Sequence, residues 1–516
     1  MASPTGGTEM RRTLSLTGLT VNAMALIAPG AFLWTTLQSQ AAQSSGGSTT
    51  AMDMWPALVF SLILAFLTAI SYAELSNIYP HAGAGSSYFF AEAAFLDKQK
   101  QAHYRWARIA KFLVGWISHL YYWIYPGIMV AFSATLIVFV LGMYGIDLNI
   151  QEEIAVAAAF AIFNGYVAFR GISGSTVTAM AINVIQLVTL VAVSILAIVY
   201  RQTHGDVQYV HSTALSILRP HAFQGLIFQS TIAILLLVGF ESVTALGAEA
   251  RDPKRDIKRG ILLSLGIQGL FAYLFEYFAA NYFVGSQMTA TGADGSVLTG
   301  YDAAAQSGSP LGDMVHTIGN WLVAGSGNTF TLIVAATVIL ALIGTTLACL
   351  NTGVRITYAM GRDKEMPSIL GALHGRFATP HWGIWILVAV SAVIGAYGVI
   401  DVDKLTQVVL ASNTGTFILY GLTNLICLIA FWRRVGSNVV THKMVPVLGL
   451  AANLFELGAV IYLAMKGSPA TARDAYIAIG AVVVWLIVGM VWFVYNTYRQ
   501  KHPVFSDGAS QPQATV

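Results

Sequence analysis

The chain has few charged residues and almost no cysteine. Only 10% of its 516 residues are Asp, Glu, Lys or Arg, and its mean hydropathy is +0.67, whereas soluble domains carry about 25% charged residues. So few charges cannot cover a water-facing surface, which excludes an ordinary soluble protein. The two cysteines, Cys349 and Cys427, both lie in apolar segments. They exclude a disulfide framework and a zinc site, and we interpret them as packed thiols.

Several functional classes are excluded by what the sequence does not contain. The net charge is only +3, and no basic cluster is interleaved with aromatic residues, so we expect no nucleic-acid partner. The motifs H-E-x-x-H and G-x-S-x-G and a phosphate-binding loop are missing from any suitable context. The sequence therefore predicts no enzyme activity, no metal site and no cofactor, apart from a proton or a sodium ion that couples to the function.

Long apolar runs are abundant, and each is long enough to cross a bilayer as a helix of about 20 residues. They predict an all-α integral membrane protein with twelve transmembrane helices. The predicted spans are 14–38, 56–79, 109–141, 154–168, 175–200, 224–248, 260–284, 321–358, 381–399, 405–431, 445–465 and 475–495.

The distribution of Lys and Arg between these spans predicts the orientation of the chain. With both termini in the cytoplasm, 22 of these residues lie on the inner side and five on the outer side. Such an excess is typical of cytoplasmic loops. We therefore expect a multi-pass protein of the cytoplasmic membrane with both termini inside.

The first and sixth predicted spans each contain residues that disfavour a regular helix. These are the sequence APGA at 28–31 and the sequence VGF at 238–240. In carriers built from inverted repeats, such breaks occur at corresponding positions and expose backbone groups to a ligand. A proline kink and an ordinary packing glycine explain the same residues, since both are common in membrane helices.

Four groups of motifs support the ligand interpretation. They are SYAEL at 71–75 with YP at 79–80 and AGAG at 82–85; VGFES at 238–242 with AE at 248–249 and DPKR at 252–255; NTGVR at 351–355 with YAMGRD at 358–363; and HGRFATP at 374–380. In this order they resemble motifs of the amino acid-polyamine-organocation superfamily of permeases. The resemblance covers the chain from residue 14 to the end of the tenth span.

The resemblance implies a fold and a division of the chain. The fold is a five-plus-five inverted repeat of the leucine-transporter type with two additional helices. The implied divisions are a cytoplasmic tail at 1–13, a first repeat at 14–200, a second repeat with its preceding loop at 201–433, two additional helices at 434–497, and a tail at 498–516 whose polar composition is typical of disorder.

The resemblance also implies a function, the transport of a small amino acid by alternating access between the first and sixth spans. Helix-start N–H groups suit a substrate carboxylate, and exposed carbonyl groups suit its ammonium group. The acid Glu241 beside the second break is a candidate for binding a proton or an amine, or for a structural role. The substrate-site candidates are Ala28, Gly30 and Ala31 for the carboxylate, Val238, Gly239 and Phe240 for the ammonium group, and Tyr122 and Glu241 beside them.

Two questions stay open at this stage. Pro29 donates no N–H, which keeps a polyamine or another amine as an alternative substrate, and a membrane sensor would use the same site without transport. For the coupling ion, Glu241 is a candidate, and Gln186 stands where many relatives carry a lysine. Thr345 and Thr346 are candidates for binding sodium, or are hydroxyls that pack between helices. The expected partners are a small-molecule substrate and the lipid bilayer.

Overall fold

Helices dominate the computed structural model, which describes residues 14–27, 30, 33–45, 48–80, 87–96, 101–171, 176–247, 249–292, 294–377 and 379–499. The predicted tail at 1–13 lies outside these residues, as does the tail at 498–516 except for its first two positions. The site candidates Ala28 and Ala31 and the AGAG motif at 82–85 also lie outside them.

Within the described residues, the first half of the chain forms nine α-helices and one short hairpin. The hairpin pairs β1 (Ser44–Ser45) with β2 (Ser48–Thr49), and a 3-10 turn at Ala51–Asp53 follows it. The helices are α1 (Leu16–Ile27), α2 (Leu33–Ala41), α3 (Met54–Ile78), α4 (Ser87–Leu96), α5 (Gln101–Tyr122), α6 (Tyr125–Gly142), α7 (Ile150–Phe169), α8 (Thr176–Thr203) and α9 (Ala214–Leu218).

The described part of the second half adds eleven α-helices and the hairpin of β3 (Thr289–Thr291) with β4 (Val297–Thr299). The helices are α10 (Phe223–Ala233), α11 (Ser242–Ala245), α12 (Pro253–Leu265), α13 (Leu274–Phe283), α14 (Gly300–Gln306), α15 (Pro310–Leu322), α16 (Gly327–Arg362), α17 (His381–Gly398), α18 (Val402–Phe431), α19 (Val445–Lys466) and α20 (Pro469–Arg499). Two 3-10 turns, Ile234–Leu236 and Ser368–Gly371, and two π-helical segments, Gly266–Tyr273 and Val440–Met444, complete the chain.

Ten helical segments of the described residues are long and apolar enough to cross a membrane. They correspond to ten of the twelve predicted spans. The remaining two predictions, the first and sixth spans, are each divided into shorter helices. The first forms α1 and α2, and the sixth forms α10, a 3-10 turn and the single turn of α11.

The predicted start of the eighth span at residue 321 is wrong. Trp321 belongs to α15, and the long helix α16 begins only at Gly327. Between the two helices Gly325 has φ +78°, a left-handed conformation that glycine adopts without steric cost. Because apolar residues lie on both sides of this turn, the hydropathy pattern predicts one continuous helix instead of two.

The third span bends where α5 passes into α6. Pro126 has no N–H to donate to the carbonyl group of Tyr122, four residues earlier. That carbonyl faces α16 instead, where the Sγ of Cys349 lies 4.0 Å from it. Pro126 therefore leaves the carbonyl group of Tyr122, a predicted site residue, without its helical hydrogen bond.

The seventh span contains the π-helical segment Gly266–Tyr273 between α12 and α13. A π turn inserts an extra residue into the helix and often occurs at functional sites. Here the segment supplies two side chains, Gln268 and Tyr273, that bond to the end of α1. Around it, α1 packs against α12, α16 and α8.

Candidate functional site

The first break leaves the end of α1 without helical partners for its last carbonyl groups. A buried carbonyl group with no donor costs about 1–3 kcal/mol, and side chains from other helices supply the donors here. Gln268 donates to Met24 O (2.7 Å), Tyr273 to Ile27 O (3.0 Å) and Thr345 to Ala25 O (2.7 Å).

Gly30 lies in the middle of this break. It is buried and has φ +72°, and Leu33 N donates to its carbonyl oxygen at 3.1 Å, at the start of α2. A Cβ at this position would lie 2.1 Å from Leu190 Cδ1 and 2.5 Å from Glu276 Oε2. Both the backbone conformation and the surrounding space therefore require glycine.

The second break lies directly against the first half of the first span. Gly239 has φ +123°, and a Cβ there would lie 3.0 Å from Leu26 Cγ. Val238 and Phe240 on either side are fully buried. The second break, more than 200 residues away in the chain, thus contacts the last turn of α1 at the edge of the first break.

Glu241 accepts three hydrogen bonds in this region. Its Oε2 receives the N–H of Gly239 at 3.0 Å and the hydroxyl of Tyr420 at 2.8 Å, and its Oε1 receives the hydroxyl of Tyr122 at 3.0 Å. The carboxylate therefore joins the sixth span to α5 and α18. Tyr420 was not predicted from the sequence, since it lies 179 residues from Glu241 in an apolar run.

The ring of Phe240 packs between aromatic residues of two other helices. Its centroid lies 6.1 Å from that of Tyr72 on α3 and 5.4 Å from that of Tyr420 on α18, with the Tyr72 ring nearly perpendicular. The predicted residues Tyr122, Val238, Gly239, Phe240 and Glu241 are thus brought together, and Leu26 connects them to the end of α1.

Comparison with known proteins identifies the family. The family model described as "Amino acid permease" matches residues 12–494. The chain belongs to the amino acid permease family. The resemblance inferred from the motifs is therefore confirmed. With ten long apolar helices among its described residues, the chain is a multi-span membrane transporter rather than an enzyme.

Curated relatives of this permease differ in what they transport. The chain is 23% identical to the branched-chain amino acid permease BcaP of Bacillus subtilis, over 97% of this chain and 96% of the relative. It is 24% identical to the methylthioribose transporter of the same species, over 96% and 95%, and 25% identical to the low-affinity putrescine importer PlaP of Escherichia coli, over 98% of each. These relatives define a class of small-molecule transporters.

The candidate coupling residues of the permease lie in different surroundings. The Thr345 hydroxyl donates to Ala25 O at the end of α1 and to Ala341 O in its own helix, whereas Thr346 donates to Leu342 O at 2.6 Å within α16. Only Thr345 therefore reaches the first break. Gln186 is fully buried on α8, and neither amide atom has a hydrogen-bond partner within the described part of the chain.

A second acid in the permease was missed in the sequence. Glu276 on α13 is 1% exposed, and its Oε2 points at Gly30. The signal was an ionisable residue inside the predicted span 260–284, which usually marks a functional position. Its significance depends on its neighbours, which come from distant segments and are not visible in the local sequence.

Several other acids of the permease have basic partners. Glu74 pairs with Lys258 at 2.7 Å and Glu249 with Arg355 at 3.0 Å, and both pairs connect separate spans. Further ion pairs join Lys111 to Glu92 and to Asp363 (2.6 Å each) and Arg108 to Glu365 (3.1 Å). These five acids are thus paired with a cation, whereas the buried Glu241, Glu276 and Glu456 have no basic partner within the described residues.

Proposed function

We propose that this protein is a secondary active transporter that moves a small amino acid across the cell membrane by alternating access. The observation that carries the proposal is the contact between the two breaks, where Gly239 lies against Leu26. Two helix interruptions at one place offer both N–H and carbonyl groups away from bulk water. An amino acid zwitterion carries the two charges that such groups bind.

The proposed architecture counts the divided first and sixth segments as spans, which gives twelve. They form a first repeat at 14–200 and a second at 201–433 in the five-plus-five arrangement, with two additional helices at 434–497. Both termini lie in the cytoplasm. Support for the orientation comes from the excess of Lys and Arg on the predicted inner side, 22 against five.

The proposed roles of the site residues follow the charges of the substrate. Gly30, with Ala28 and Ala31, binds the carboxylate, and Val238, Gly239 and Phe240 offer carbonyl groups to the ammonium group. Tyr122 and Glu241 border the site. Because three donors already surround the Glu241 carboxylate, we assign it the structural role of holding the second break in place.

An amine or polyamine is the second candidate substrate. The similarity to a putrescine importer favours it, as does Pro29, which has no N–H to offer a carboxylate. Glu276 beside Gly30 also suits a cationic ligand better than an anionic one when it is ionised.

Transport into liposomes that contain the purified protein tests the proposal. The panel consists of radiolabelled leucine, alanine, methionine and putrescine, each with and without an imposed proton or sodium gradient. Saturable accumulation of an amino acid supports the proposal, and accumulation of putrescine alone replaces it with the amine alternative. Thermal stabilisation by a ligand that never crosses the membrane, even by exchange with preloaded ligand, would indicate a sensor and contradict transport.

A further inference from the structure

Glu276 is a buried acid whose carboxyl group has no partner in the described parts of the chain. It is 1% exposed, neither oxygen accepts a hydrogen bond from these residues, and no basic side chain among them pairs with it. Glu241, 35 positions earlier, has three donors. The carboxyl group of Glu241 is therefore held by hydrogen bonds, whereas that of Glu276 has none from the described residues.

The position of Glu276 links it to the proposed substrate site. Its Oε2 and the Cδ1 of Leu190 both occupy the space that a side chain on Gly30 would fill, at 2.5 and 2.1 Å from an ideal Cβ. Leu190 lies on α8, one turn after Gln186. The side-chain amide atoms of Gln186 also have no hydrogen-bond partner within the described residues. The carboxyl group is thus in contact with the first break, next to a turn of α8 that carries no charged side chain.

No cation among the described residues pairs with Glu276, because Arg201, the basic residue of the adjoining α8, donates to Tyr282 O at 2.6 Å and to His211 O at 2.5 Å instead. Of the titratable groups on its own helix and the adjoining π segment, Tyr273 donates to Ile27 O at 3.0 Å and Tyr277 to Gln40 Oε1 at 2.5 Å. From α3, Trp55 donates to Leu274 O at 2.8 Å. An ionised carboxylate without partners costs several kcal/mol in such a place. The neutral, protonated form is therefore the one that fits this closed arrangement.

We propose that Glu276 is the residue that binds and releases the proton coupled to transport. This inference rests on the proposed function and names its coupling ion. While the site is open to the outside, a carboxylate oxygen takes a proton from hydronium, so that an O–H bond forms on Glu276 as one O–H bond of hydronium breaks. When the site opens to the inside, the O–H bond of Glu276 breaks and a water molecule there accepts the proton as hydronium.

Coupling follows from the contact with Gly30. An ionised Glu276 would repel a substrate carboxylate bound at the peptide groups of the first break, because two negative charges at short range in a weakly polarisable site interact strongly. Protonation removes that repulsion. Substrate and proton then favour each other's binding by the same factor, as thermodynamic linkage requires.

Replacing Glu276 by Gln keeps the shape of the neutral acid but removes the exchangeable proton. The probe is the radiolabelled amino acid that the wild-type protein accumulates most in the panel above. With one proton per substrate, an inward gradient of about one pH unit drives up to about tenfold accumulation. We expect Glu276→Gln to exchange substrate across the membrane but to lose all accumulation above the outside concentration.

Two other variants serve as matched controls. Glu456 is also fully buried, and neither of its carboxyl oxygens accepts a hydrogen bond within the described residues, but it lies on a different helix, α19, which packs on α3, α10, α18 and α20. Glu456→Gln should keep proton-driven accumulation. Glu241→Gln should lower exchange and accumulation in parallel, because it disturbs the second break rather than the coupling.

A second measurement does not depend on turnover. When the same amino acid is added to the detergent-solubilised wild-type protein in weak buffer, the protein should take up protons, which a pH indicator detects. The Glu276→Gln variant should bind the amino acid without proton uptake. Proton-driven accumulation or proton uptake that persists in Glu276→Gln would overturn the inference. Transport that is sodium-driven, or restricted to amines, would also overturn it while leaving the carrier intact. If no substrate crosses the membrane, the proposed function itself is wrong.

Discussion

Replacing Gly239 by alanine tests the contact between the two breaks. Gly239 has φ +123°, and the new Cβ would lie 3.0 Å from Leu26 Cγ and 3.1 Å from two further carbon atoms of the same side chain. Alanine rarely adopts this backbone conformation. The leucine cannot move away freely, because it is fully buried at the end of α1.

The expected cost comes mainly from the backbone. A residue forced into a sparsely populated conformation costs about 1–3 kcal/mol, and the short contacts with Leu26 add to this. If the closed site requires the contact, as we expect, the substrate affinity should fall by about 5- to 150-fold, the equivalent of that energy. The free energy of unfolding should fall by an amount of the same order.

The assay combines equilibrium binding of the transported amino acid, initial rates of uptake and the thermal midpoint of unfolding. Gly344→Ala is the matched control, since a Cβ on Gly344 of α16 would meet no atom of the described residues within 4 Å. It should be neutral or stabilise the protein by about 0.5–1 kcal/mol, because alanine favours a helix more than glycine. Wild-type affinity and midpoint in Gly239→Ala would refute the role given to the contact.

Three further predictions concern other contacts. Tyr420→Phe removes one donor to Glu241 and should lower the free energy of unfolding by about 1–3 kcal/mol; an unchanged thermal midpoint would contradict it. Thr345→Val should lower stability and uptake more than Thr346→Val, because only Thr345 donates to the end of α1, and equal effects in thermal unfolding and uptake assays would contradict this. Burial lowers the pKa of His211, in the loop after α8, to about 4, whereas its ordinary pKa is about 6.5. Acidification from about pH 6.5 should therefore destabilise the wild-type protein, because the unfolded state takes up the proton before the folded state does. His211→Asn should reduce that slope in thermal unfolding measured from pH 7.5 to pH 4.5, and an unchanged slope would count against it.

Local residue chemistry made much of the fold predictable. A run of apolar residues long enough to span a bilayer is visible without any tertiary information, and ten predicted spans correspond to long helices. The two breaks were also predictable, because proline and glycine change the backbone conformation at their own positions. The error at Trp321 has a different origin. Apolar residues lie on both sides of the short segment GSGNT at 325–329, and hydropathy averaged over a window does not distinguish one long helix from two.

The π segment at Gly266–Tyr273 and the bonding of the two acids were beyond the reach of the sequence. The extra residue in the helix is accompanied by bonds from Gln268 and Tyr273 to α1, more than 200 residues away. The state of an acid depends in the same way on distant donors. Glu241 was prominent because it follows a recognisable glycine, whereas Glu276 lies in a plain apolar run. The lack of partners that makes Glu276 informative is a property of the packed structure alone.

If the site opens as proposed, buried hydroxyl groups on the helix α2 favour the opening. All nine of its residues are buried, yet hydroxyl groups of Thr35, Thr36 and Ser39 have no partner within the described residues. Each such buried group costs about 1–3 kcal/mol, which water would recover on exposure. Burial of the apolar residues Leu33 and Leu37 acts in the opposite direction. Because the two contributions oppose each other, the closed and open arrangements can differ by only a few kcal/mol, the range in which substrate binding shifts the population.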